Sequence, residues 1–178
     1  MNPQTCINKN KLPKVYSLMT SNKAVQKAID WNNTEAVQDH GCGKYVEHIS
    51  IKMHYCLKNW YGWDKHHSNV RDWLKIGNSD LWISDRPIDR KVNDLKTVHI
   101  SSNVMNVITD DWELFNYCTT IYDNMKSGEH LLITVYEAPA PSESQRAEPL
   151  EIYVEKLESY YGLETVKQTK SYAVLKKW

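Results

Sequence analysis

Glu35-Ala36-Val37-Gln38-Asp39-His40-Gly41-Cys42-Gly43-Lys44 is the stretch on which the fold turns. A short segment centred on Ala36 and Val37 runs into a Gly-x-Gly bend, the pattern of a strand, a tight turn and a helix. Glycine lets the backbone turn sharply and leaves room for a ligand to lie against it. Beyond the bend, Tyr45, Ile49, Met53 and Cys56 recur every three or four residues, which puts them on one face of a helix ending near Lys58. Trp60 to Trp63 reads as a strand closed by Asp64, and Asp80 to Ser84 as another closed by Asp85, where Arg86-Pro87 halts regular structure. Between them Val70, Trp73, Leu74 and Ile76 predict a short helix capped by Gly77-Asn78.

Further along, Thr97 to Ser101 predicts a strand with polar Ser102 and Asn103 at its end. A helix is expected from about Asp110, with acidic residues in its first turn, apolar Trp112, Phe115, Cys118, Ile121, Tyr122 and Met125 along it, and Gly128 at its end. His130 to Tyr136 is nearly all apolar, as in a strand covered on both faces. Ala138 to Glu148, with Pro139 and Pro141, reads as an exposed loop, a connector or a lid. A helix bearing Leu150, Val154 and Leu157 follows, and Glu164 to Thr169 with Tyr172 to Leu175 form an antiparallel hairpin. Before the quoted stretch, Val15 to Trp31 predicts one amphipathic helix, ended by Asn32-Asn33-Thr34. Strands alternating with helices give an α/β chain with a mostly parallel sheet in a three-layer, Rossmann-like arrangement. The length suits one domain over residues 1–178, divided into a helical extension (1–33) and a core (34–178).

Such sheets bind ligands outside the carboxyl ends of their strands. Asp64 stands twenty-one residues after Gly43, the interval at which a carboxylate receives ribose hydroxyls, and Asp85 ends the next strand in the same way. A nicotinamide-dinucleotide fingerprint is excluded because position 46 is Val where a third glycine is needed, and no GxxxxGK(S/T) phosphate loop occurs.

On these residues the sequence resembles the class I, Rossmann-like S-adenosylmethionine-dependent methyltransferases. The quoted stretch is similar to their first motif, and Tyr61-Gly62-Trp63-Asp64 to the second. Ser101 to Ile108, the helix after it and Met125-Lys126-Ser127-Gly128-Glu129-His130 through Tyr136 resemble the family's fourth strand, helix and fifth strand. The resemblance implies a seven-stranded sheet ending in an antiparallel hairpin, with S-adenosylmethionine as cofactor. It also implies that Asp39, Gly41 and Gly43 border the cofactor's amino-acid end and that Asp64 binds the ribose. Asp85 would lie near the adenine amine, and Ser102 and Asn103 would face the transferred methyl. Two departures stand out: Tyr45 replaces a third glycine, and Glu129 replaces the second glycine of the turn before strand five. Ser102-Asn103-Val104-Met105 lacks the Asp/Asn/Ser-Pro-Pro-aromatic motif with which amino-directed nucleic-acid methylases grip a flipped base.

Twenty-two basic residues balance twenty-two acidic ones, so no broad field points to a nucleic acid or membrane surface. The acceptor stays open between a small molecule, a nucleic acid and a protein. Cys6, Cys42, Cys56 and Cys118 form no CxxC or Cys/His ligand spacing, and no metal is expected. Without an apolar leader or a run of eighteen apolar residues, neither export nor membrane spanning is expected, and the cytoplasm is the expected location. Candidate bases are His66, His67, Tyr136 and Glu137. Two rival readings remain. His48-Ile49-Ser50 and His99-Ile100-Ser101 repeat the H-x-(S/T) pattern of two-histidine phosphoesterases, and a degenerate fold could serve as a binding module without activity.

Overall fold

The computed structural model describes residues 14–42, 58–65, 72–76, 79–88 and 94–178. Its strands are β1 (Ala36–His40), β2 (Asn59–Trp63), β3 (Asp72–Ile76), β4 (Ser79–Ser84), β5 (Thr97–Ser102), β6 (His130–Thr134), β7 (Glu164–Gln168) and β8 (Ala173–Lys176). They form one sheet in the order β3-β4-β2-β1-β5-β6-β8-β7. The β4-β2-β1-β5-β6 centre is parallel, and both flanks are antiparallel.

The sheet therefore has eight strands where seven are expected, and the extra one corrects a predicted helix. Residues 72–76 pair antiparallel with β4, Ile76 opposite Ser79, so that only Gly77 and Asn78 lie between the partners. Gly-Asn is a hairpin signal as readily as a helix cap, and an apolar run this short suits either period. The C-terminal hairpin forms as expected, β8 running antiparallel between β6 and β7.

A second correction concerns the predicted single helix over 15–31, which is two helices, α1 (Lys14–Ser21) and α2 (Lys23–Ala28). Asn22 divides them: its side-chain carbonyl accepts from the N–H groups of Ala24 and Val25, satisfying donors of a new helix start. Val15, Tyr16, Leu18, Met19, Val25 and Ile29 pack on Val37, Trp60, Val98, Ile100, Leu132 and Val174, covering one face of the sheet.

The opposite face is covered by α3 (Asp111–Asn124) and α4 (Leu150–Tyr161). Asp110 caps α3 by accepting from Glu113 N–H, and two acids in the first turn suit the positive end of the helix. Leu114, Tyr117, Cys118, Ile121, Val154 and Leu157 pack on Leu131, Ile133, Ala173 and Leu175. This completes the three layers. The predicted helix after the glycine bend lies outside the described residues.

Candidate cofactor site

Strand register fixes the site before any side chain is considered. His40 pairs with Trp63, and Trp63 with Ser84, so the residues that follow them, Gly41, Asp64 and Asp85, stand level at the carboxyl ends of β1, β2 and β4. Asp39 pairs with Ile100, which brings Ser102 level with Gly41, and Ser102 pairs with Thr134. At about 4.8 Å between strands, the row Asp85, Asp64, Gly41, Ser102, Thr134 is about 19 Å long.

Gly41 is required at its place twice over. Its φ is +76°, a region that side chains with a Cβ avoid, and an added Cβ would lie 2.6 Å from Cγ2 of Val104. The N–H groups of Gly41 and Cys42 both donate to the carbonyl of Trp63, at 2.8 and 3.0 Å, which latches the bend onto the end of β2. Asn103 also adopts a left-handed conformation (φ +55°), which Asn tolerates, and turns the chain away from β5.

The sequence-predicted residues separate by environment. Asp39 and Asp64 are buried, Asp85 and Asn103 are exposed, and Ser102 is half-buried and accepts from the Thr134 hydroxyl. Gly43, His66 and His67 lie outside the described residues, while Tyr136 and Glu137 are exposed beyond β6. Asp39 accepts a 2.6 Å hydrogen bond from the Tyr16 hydroxyl on α1, and Tyr16 rests on the Trp60 ring, with centroids 5.2 Å apart. The 138–148 loop is stapled to the β5–α3 connection by Arg146: its backbone N–H donates to the Asn106 carbonyl, and its guanidinium to those of Ile108 and Thr109.

Beneath the row runs a buried polar chain that the sequence reading missed. Trp63 Nε1 donates to His40 Nδ1 at 2.8 Å, His40 Nε2 meets His99 Nδ1 at 3.0 Å, and His99 Nε2 meets Glu129 Oε2 at 2.9 Å. Glu129 also takes the Lys126 N–H on that oxygen and the Thr97 N–H on the other. Both imidazoles are fully buried. Beside it, Ser101 Oγ lies 2.7 Å from the Tyr117 hydroxyl, which donates to the His40 carbonyl. Burial pushes the Tyr117 phenol well up, with the carboxylates of Asp39 and Asp64 adding to the rise, so it stays a neutral donor. The signal in the sequence is a histidine within each of two predicted strands, His40 and His99. His99, sealed on both nitrogens, cannot reach a phosphodiester, and this removes the phosphoesterase reading; His48 lies outside the described residues.

The fold has counterparts among solved structures. The sugar N-methyltransferase KedS8 from Streptoalloteichus is 12% identical, with a TM-score of 0.55 over 97% of this chain and 96% of its own. It is the fold of the class I methyltransferases. Human N-acetylserotonin methyltransferase, solved with S-adenosylmethionine, matches at 15% identity and a TM-score of 0.52 over 92% of this chain, which spans only 53% of its length. SAM-bound CalS10, an amino pentose methyltransferase from Micromonospora echinaspora, matches at 11% identity and a TM-score of 0.51, covering 97% of this chain and 100% of that one. No family model and no curated protein sequence matches the chain. Among the described residues, no group of three or more His, Cys, Asp or Glu is placed to hold a metal ion, and no helix is long and apolar enough to cross a membrane.

Proposed function

We propose that the protein is an S-adenosylmethionine-dependent methyltransferase. The observation that carries this reading is the level row of Asp85, Asp64, Gly41 and Ser102 at the carboxyl ends of adjacent strands. The donor chemistry of the ligand suits it: ribose hydroxyls, an α-ammonium and an adenine amine all donate, and the row and its neighbour Asp39 offer carboxylates to receive them. When bound, the cofactor supplies a methyl group already activated by its sulfonium.

In this reading Asp64 receives the ribose hydroxyls, buried so that few waters compete. Gly41 and Gly43 leave room for the amino-acid end, and Asp39, oriented by Tyr16, borders it. Asp85, open to solvent, meets the adenine amine at the outer end of the row. Ser102 and Asn103 lie where the acceptor approaches, and their task is to align its lone pair and exclude water. No dedicated base is required when the acceptor is already a nucleophile. The acceptor is a small molecule, a nucleic acid or a protein. A cytoplasmic setting completes the reading, with the Cys118 thiol unbridged.

Titration calorimetry with S-adenosylmethionine, its demethylated product and a nicotinamide dinucleotide tests the proposal. Binding of the first two and not of the third is expected. A protein that takes up neither of the first two is not this enzyme, and the fold then serves as a binding module. A radiolabelled methyl-transfer screen across the three acceptor classes follows from a positive result.

A further inference from the structure

The chain from Trp63 to Glu129 has a direction, and the direction is locked at both ends. An indole N–H can only donate, so His40 Nδ1 must accept and the ring proton of His40 sits on Nε2. That proton points at His99 Nδ1, which must accept in turn, leaving the proton of His99 on Nε2, aimed at Glu129. Were His99 doubly protonated, its Nδ1–H would require His40 to accept on both nitrogens, an imidazolate without any N–H. The His99–Glu129 contact is therefore a neutral imidazole donating to a carboxylate, not an ion pair of two charges. Four groups on three strands and the turn before β6 pass donors one way, and each is over nine-tenths buried.

The route also connects distant places. Glu129 binds the N–H of Thr97 at the amino end of β5, five residues or about 17 Å from the Ser102 level where the site opens. At the other end, Trp63 immediately precedes Asp64, and its carbonyl holds the N–H groups of Gly41 and Cys42. We infer that His40, His99 and Glu129 are positioning residues for the nucleoside site, the chain fixing Trp63 and through it the glycine bend and the carboxylate of Asp64. The inference rests on the proposed cofactor for its binding readout. The fold needs only apolar filling at these positions. A one-way polar chain beneath the bend instead sets the bend's place, because a residue that moves out of line weakens hydrogen bonds that buried groups cannot recover from water.

The experiment compares Glu129→Gln with Val174→Ala, a cavity made on the opposite face of the sheet. Whichever way the new amide lies, it turns an N–H against a backbone N–H, that of Thr97 or of Lys126. Calorimetric affinity for S-adenosylhomocysteine is expected to fall roughly tenfold to a hundredfold in Glu129→Gln, the scale known for losing a residue that orients a metal ligand. Val174→Ala, destabilised as well, is expected to bind within about twofold of the parent. Equal affinities in the two variants overturn the inference. Long-range nitrogen–proton NMR of the unaltered protein is expected to show both rings protonated on Nε2 at neutral pH, and a proton on Nδ1 of either overturns it. If the unaltered protein binds no S-adenosylhomocysteine, the proposed function fails by itself. The positioning claim is then read from amide exchange: Glu129→Gln should speed exchange at Gly41 and Cys42 selectively, and exchange that rises only with global unfolding overturns it.

Discussion

Ile100 and His99 are neighbours in β5 and serve opposite layers. On the side of α1 and α2, Ile100 meets Val37, Val98, Leu132 and Val174, an apolar surface whose contacts carry no direction. On the side of α3, His99 joins Trp63, His40 and Glu129 in a chain where each proton has one permitted place. An apolar layer tolerates repacking so long as volume is kept; a polar one tolerates almost nothing. The two meet at the glycine bend, where Cys42 packs into the apolar layer and the Trp63 carbonyl holds the N–H groups of Gly41 and Cys42.

Substitutions within this pair of layers give the sharpest contrasts. His99→Leu is expected to cost about 4 kcal/mol in denaturant unfolding, since it strands a buried carboxylate and a buried imidazole, while Ile100→Val beside it should cost about 1 kcal/mol. Similar losses at both positions would erase the distinction between the faces. Gly41→Ala comes next, at about 3 kcal/mol, from a left-handed backbone and a Cβ that collides with Val104. Its calorimetric signal with S-adenosylmethionine should vanish. Tyr16→Phe, which takes a donor from a buried carboxylate on the apolar side, should lower stability by about 1.5 kcal/mol and raise the dissociation constant of the cofactor.

The smallest effect is a pH dependence outside both layers. Burial, helped by Lys176, holds the His130 imidazole below its ordinary value of 6.5, so the fold prefers it neutral. Its contribution is fully present above 6.5 and is lost as pH falls through that value toward the depressed one. Urea midpoints of the parent should therefore decline slightly below pH 6.5, and His130→Gln should flatten that part of the curve.

Much of the frame could be read directly from the residues. Short strand-like segments stopped by Gly41, Asp64, Asp85 and Ser102 mark the strand ends, because those residues either bend the chain or seek water at the sheet's rim. The β3–β4 hairpin was misread since Trp73, Leu74 and Ile76 are too few to separate two periodicities. The helix predicted over 15–31 is broken because the short side chain of Asn22 competes for the backbone N–H groups of Ala24 and Val25, which follow it. The polar chain was the hardest to foresee. Positions 40, 63, 99 and 129 share no local pattern, and only strand order β2-β1-β5-β6 brings them together. Glu129 in particular read as a lost glycine in a turn, while the structure gives it three donors.

A one-way string of protons has a consequence for descent. Replacing any single link sets like groups against each other or leaves a buried partner unsatisfied, so intermediates in a stepwise exchange are worse than either endpoint. Lineages carrying this fold should keep Trp63, His40, His99 and Glu129 as a block or surrender them as a block, leaving a co-inheritance mark that the apolar layer across the sheet does not leave.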